Sequence, residues 1–174
     1  MAEVLDDEVL GVFVAPPDDA HPATIAARLM KLPELQHLAD ADLSFLWLLR
    51  NTEHIQGGRR VIGMVHEPQV QGRLRDLFTQ MLVQTYGFMP NYVVTLDADF
   101  WTDATPIQRE ALVHHELSRV KQATDKFGDP RVNKQTGEPV FELVAHDLEE
   151  FNATVKRYGP WKGDIAAFLD AAKG

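Results

Sequence analysis

Runs of apolar residues predict three strands in the first hundred positions. ADLSFLWLLRN, residues 41–51, is apolar on both faces, as central strands are, although a helix is the alternative. RRVIGMVHEP, residues 59–68, predicts a second strand, and the Gly-Gly turn before it suggests a hairpin of the two. NYVVTLDADFW, residues 91–101, predicts a third.

Helical spacing of apolar residues predicts helices between and after these strands. Residues 23–39 carry one or two short helices, interrupted at Pro33. Residues 69–86 predict a longer helix that Gly87 ends. Its apolar positions recur at intervals of three and four residues: Val70, Leu74, Leu77, Phe78 and Met81.

The clearest helix start lies just before REALVHHELSRV, residues 109–120. Thr105 is an N-cap residue, Pro106 suits the first helical position, and Gln108 completes a capping box. Val113 and Leu117 lie on the stripe that this helix can bury.

The last third of the chain predicts a loop or loose hairpin over residues 124–139, followed by a short strand, VFELVAH. Asp147 then caps a helix, with Glu150 at its N3 position, and a C-terminal helix follows from Gly159. Hairpin and helices mixed in one chain indicate the α+β class. We expect an N-terminal arm over residues 1–22, able to add a strand to a sheet, and a single domain over residues 23–174.

The composition of the chain limits which metal ligands and which partners it can have. The chain has 174 residues, a net charge of −9 and no cysteine, so any metal would need histidine and carboxylate ligands. The acidic charge argues against nucleic acid as a partner. No apolar run approaches the length of a membrane span, and the acidic N-terminus does not resemble a secretory signal, so we expect no membrane partner.

The helix after Thr105 contains part of a zinc-protease motif. In H-E-x-x-H the two histidines lie four residues apart on one helix face and bind a metal, and the glutamate is the general base. His115 and Glu116 match the first two positions, whereas Arg119 stands where the second histidine belongs. The alternative is a solvated helix face with a weak Glu116–Arg119 ion pair. His146, at a predicted strand-to-helix junction near Glu149 and Glu150, could add to a metal cluster or only form hydrogen bonds.

Together, the three strand segments, QREALVHHEL and VAHDLEEFNATVKRYGPW resemble the phage metallopeptidase family, whose pattern is related to SprT-like proteases. The resemblance covers roughly residues 40–161. It implies a zincin-like fold: a small mixed sheet, the motif helix packed beneath it, and an edge strand beside a peptide-binding cleft. We expect NYVVTLDADFW to be that edge strand.

The resemblance assigns roles to four residues. It implies that His115 is the first metal ligand, Glu116 the catalytic base and His146 the third ligand, with Arg119 in the place of the second. Arginine offers no lone pair, and its permanent charge repels a dication. Zinc would then need a carboxylate as well, from Asp147, Glu149 or Glu150.

We therefore expect a degenerate member of the family that holds no cofactor. It would bind a protein or peptide at the cleft, or serve as a structural component of a phage particle with assembly partners. The alternative is an active zinc-dependent peptidase that uses His115, His146 and a carboxylate as ligands. The resemblance implies a phage or prophage protein in the cytoplasm of its bacterial host, or in the virion.

Overall fold

A computed structural model of the chain describes residues 12–146 and 152–174. The chain divides into two compact units, Met1–Leu143 and Val144–Gly174, which are described separately. The arm over residues 1–22 and the single domain over residues 23–174 stay predictions. No helix of the described residues is both long and apolar enough to cross a membrane.

Two helix ends lie where the sequence signals place them, whereas the helix predicted over residues 69–86 begins only at Arg75. Thr105 and Gln108 form the predicted capping box, with both reciprocal hydrogen bonds in place. Gly87 ends its helix in the left-handed conformation at φ 84°, which glycine adopts without steric cost. The helices in the described residues are α1 (Pro22–Leu29), α2 (Gln36–Asp40), α3 (Arg75–Tyr86), α4 (Ala98–Asp103), α5 (Pro106–Ser118), α6 (Asn152–Tyr158) and α7 (Gly163–Lys173).

The strands of the first unit form one main sheet and two small ones. Its strands are β1 (Phe13–Val14), β2 (Phe45–Arg50), β3 (Ile55–Gln56), β4 (Arg59–Arg60), β5 (Gly63–His66), β6 (Tyr92–Asp97), β7 (Val120–Gln122) and β8 (Phe141–Leu143). The main sheet has the order β1-β2-β6-β5, and only the β2–β6 pair is parallel. This mixed sheet with helices confirms the α+β class.

Two predictions about the sheet were wrong. Strand β5 does not form a hairpin with β2, because β6 lies between them and pairs with both. The Gly57-Gly58 turn instead joins the short strands β3 and β4. For the same reason NYVVTLDADFW is not an edge strand: β6 is internal, and β1 and β5 are the edge strands. The end of that segment is also helical, because α4 begins at Ala98.

The core lies between the main sheet and the helices of the first unit. Helix α1 packs against α5 and β2, and α5 packs against β5. Trp47 and Leu96 from the sheet meet Val113 and Leu117 of α5 in one buried cluster. Residues 124–139, predicted as a loop or loose hairpin, form two successive turns, one closed by the Thr124–Pro130 bridge and the other by the Val132–Pro139 bridge.

Asp97 joins three elements at the end of β6. Its carboxylate caps α4 by accepting a hydrogen bond from the Phe100 amide at 2.9 Å. It also accepts two hydrogen bonds of 2.8 Å from the Arg60 guanidinium of β4. Burial acts to raise the pKa of Asp97, but Arg60 and the Phe100 amide together hold it below its ordinary value.

In the second unit, α6 and α7 occupy the regions where helices were expected. The predicted cap at Asp147 and its partner Glu150 lie outside the described residues.

Candidate functional site

The motif residues sit at the C-terminal end of α5, which the core stripe of the helix fixes in place. Val113 and Leu117 are fully buried there, and Val120 continues the stripe into β7. His115 is exposed, and Arg119 is half-buried at the C-cap position. Glu116 does not share their exposure, since only 2% of its surface is accessible. The solvated Glu116–Arg119 face considered from sequence is therefore excluded, because Glu116 points inward.

Glu116 is buried because it lies against the backbone of the edge strand. A methyl group added to Gly63 would collide with Oε1 of Glu116 and would lie 2.9 Å from its Cδ. It would also lie 3.1 Å from a methyl carbon of Leu112, one helical turn before Glu116. Gly63 is thus the residue that lets the carboxylate fit between α5 and β5.

The surroundings of Glu116 disfavour its charged form. Its Oε2 is buried without a hydrogen-bond partner. Burial raises the pKa of Glu116 from 4.5 to about 7, and the positive charge of Arg119 opposes this rise. Burial therefore favours the protonated form of this carboxyl group more than it would be favoured in water.

Within the described residues no strand pairs with the outer side of β5, so this open side can offer backbone groups to a further strand. The Asp97 amide donates to the Ile62 carbonyl, and antiparallel strands alternate between inward and outward hydrogen bonding. Met64 and His66 therefore bond to β6, whereas Gly63 and Val65 direct their N–H and C=O groups to the open side. The edge of the sheet and the buried acid meet at Gly63.

The other histidine and carboxylates to which the sequence assigns a role at the site lie in the second unit or outside the described residues. His146 is exposed and belongs to the unit Val144–Gly174. Glu149 and Glu150 lie outside the described residues. His114 approaches Glu34, with 3.5 Å between Nε2 and Oε1, on another side of α5. Within residues 12–146 and 152–174, no three histidines or carboxylates cluster in a way that could hold a metal ion.

Sequence reasoning missed Gly63 and the burial of Glu116. A signal for the second was present, because Leu112 and Glu116 are four residues apart and share a helix face. That face adjoins the stripe of Val113 and Leu117. Gly63 carried no comparable signal, since its role depends on a contact between residues 53 positions apart in the chain.

Comparison with known proteins supplies the family. The family model described as putative phage metallopeptidase matches residues 18–173. The chain belongs to this family. No curated protein and no solved structure matches the chain.

Gly63→Ala should lower the free energy of unfolding by about 1–3 kcal/mol, because the added methyl group overpacks the contact with Glu116. Gly163→Ala is the control, since a methyl group added there meets no heavy atom within 4 Å. Urea unfolding measures both. In a double-mutant cycle, Glu116→Ala should relieve much of the Gly63→Ala loss. Equal effects of the two glycine substitutions would contradict the close contact.

Glu116→Gln should stabilise the metal-free protein more at pH 8 than at pH 4.5. In the natural chain the unfolded carboxyl ionises near pH 4.5, whereas the folded one ionises near pH 7. The free energy that this carboxyl group contributes to folding therefore decreases as the pH rises from 4.5 to 7, and it stays low above pH 7. The shift corresponds to roughly 3 kcal/mol. Urea unfolding of both proteins across this range measures the difference, and a difference independent of pH would refute the shift.

Proposed function

We propose that this chain is a metal-free member of the phage metallopeptidase family that acts by binding a protein partner. Arg119 is the observation that carries the proposal. It ends α5 one turn after His115, where the second metal ligand of the motif would stand. A guanidinium offers no lone pair to a metal and stays protonated at any physiological pH.

The remaining donors do not fit zinc without help from elsewhere. His115 provides one nitrogen, and a cation at residue 119 adds repulsion toward a dication. The charge of Arg119 reaches Glu116, since it acts to lower the pKa of that carboxyl. In our proposal the positive charge of Arg119 partly compensates the negative charge of the Glu116 carboxylate. The helix then keeps its place without a metal.

The open edge of β5 is the proposed binding surface. An extended segment of a partner protein would add to the sheet through the outward N–H and C=O groups of Gly63 and Val65. Main-chain hydrogen bonds give affinity in this mode, and neighbouring side chains give selectivity. The partner would be a protein of the bacterial host cytoplasm or a component of the phage particle.

A zinc-dependent peptidase is the second candidate, and the pKa of Glu116 favours it. A general base works best when its pKa lies near the working pH, and burial brings Glu116 to about 7. In this function His115 and His146 would hold zinc together with a carboxylate of Glu149 or Glu150. Zinc supplies Lewis acidity and an activated water in such sites.

Elemental analysis of protein purified without chelator should find zinc well below one ion per chain. Arg119→His should raise zinc content because it restores the second nitrogen ligand. Arg119→Gln is the matched control, since it removes the cation without supplying that nitrogen. Stoichiometric zinc in the natural chain, with proteolysis that chelator and Glu116→Gln both abolish, would establish the peptidase instead.

Peptides selected from a random display library on the natural chain should protect the amides of Gly63 and Val65 from hydrogen exchange. The Met64 amide is an internal control, because it already bonds to β6. Val65→Pro removes one outward N–H and should lower peptide affinity, while the bonds to β6 remain. Selected peptides that leave both amides unprotected would rule out strand addition at β5, whatever the zinc content.

A further inference from the structure

A cavity of about 870 Å³ lies where the loop after β5, helix α3, the start of β6 and strand β8 meet. Its volume falls within the range of roughly 300–1,000 Å³ that is typical of small-molecule sites. All of these walls belong to the first unit. The walls that the structure describes do not include His115, Glu116 or Arg119, so the cavity is a different place from the motif at the end of α5.

The apolar part of the wall suits an apolar ligand body. Phe78 of α3 and Phe141 of β8 contribute aromatic rings, and Leu43, Val70 and Met89 contribute aliphatic side chains. Small-molecule sites commonly combine such walls with a few polar groups that fix the orientation of the ligand. The polar groups of this wall therefore decide which class of ligand can bind.

Two unlike charges, Glu67 and Arg75, line the same cavity. The Glu67 carboxylate accepts a hydrogen bond of 2.8 Å from the Gln69 side chain, which also lines the cavity. Among the residues that the structure describes, no carboxylate lies within ion-pair distance of the Arg75 guanidinium, and Glu67 is no exception. Both charges are therefore available to a ligand.

This pair of charges restricts the class of ligand. Glu67 would repel a phosphate or a dicarboxylate, and Arg75 would repel a diamine. A ligand that carries one ammonium group and one carboxylate group can pair with both side chains. Charge-assisted hydrogen bonds of this kind are roughly twice as strong as those between neutral groups.

Tyr92 adds a hydrogen-bonding group to the wall. The residue is only 4% exposed, and no described residue forms a hydrogen bond with its hydroxyl group. Burial, reinforced by the negative charge of Glu67, raises the pKa of Tyr92 to about 12, so the hydroxyl group stays protonated and can donate. Polar groups of buried side chains ordinarily have a partner, and an oxygen atom of a ligand would supply one here.

We propose that this cavity binds a small zwitterion with an apolar body, of the class of apolar amino acids and short peptides. The Glu67 carboxylate pairs with the ammonium group of the ligand, and the Arg75 guanidinium pairs with its carboxylate. Tyr92 donates a hydrogen bond to a ligand oxygen, while Phe78 and Phe141 contact the apolar body. This binding does not depend on the proposed function.

Isothermal titration calorimetry of the full chain with leucine, dileucine and trileucine tests the proposal. The three lengths distinguish a free amino acid from a peptide as the source of the shared chemistry, and at least one of them should bind at one site per chain. The N-acetylated and C-amidated forms of the best ligand should each bind at least about tenfold more weakly, because each lacks one of the two charges.

Variants then assign each charge to its partner. Glu67→Gln should remove the advantage of the free ligand over its N-acetylated form, and Arg75→Gln should remove its advantage over the C-amidated form. Tyr92→Phe keeps the ring and should weaken binding. Arg73→Gln and Glu142→Gln are the matched controls, since these two residues lie close to the wall residues in the chain but do not line the cavity. Both controls should leave the affinity unchanged.

Circular dichroism of each variant verifies that it is folded, and the comparison of free with capped ligands needs only the natural chain. The absence of saturable binding by all three ligands at millimolar concentration overturns the proposal. Equal affinity for the free and capped ligands overturns it as well. The same holds for an affinity that survives both Glu67→Gln and Arg75→Gln.

Discussion

The Glu116 carboxylate lies against the backbone of Gly63, and this contact couples the motif helix to the edge of the sheet. Space for it exists only because residue 63 has no side chain. The same contact removes the carboxylate from water, which raises its pKa to about 7. The pKa of Glu116 and the close packing of α5 against β5 at Gly63 therefore both depend on one close approach.

Arg119 changes what that arrangement can do. In the motif that the family resemblance implies, the glutamate lies beside a metal-bound water and near the positive charge of the metal. Here a fixed organic cation stands one helical turn after His115, and it acts on Glu116 from the end of the helix. A guanidinium can balance charge and donate hydrogen bonds, but it cannot exchange ligands, so a binding role requires less of this site than catalysis does.

Local signals in the sequence predicted the elements well, and long-range pairing explains what they missed. The capping box at Thr105 and the glycine stop at Gly87 depend on neighbouring residues, and both are confirmed. The place of β6 between β2 and β5 depends on contacts between distant segments, so consecutive strands were wrongly paired. The burial of Glu116 was missed because a charged side chain was assigned to the solvent side by default. The roles of His146, Glu149 and Glu150 stay predictions.

The contacts of the Asp97 carboxylate help to fix the register of β6 in the sheet. A shift of β6 by one residue would turn its apolar side chains from the core to the other face. It would also pull Asp97 away from the Arg60 guanidinium and from the Phe100 amide, leaving a buried charge unpaired. Misaligned pairings of the internal strand are thus penalised twice, once by hydrophobic exposure and once by electrostatics. The electrostatic penalty acts at the C-terminal end of β6. Hydrophobic patterning alone would allow this strand end to fray.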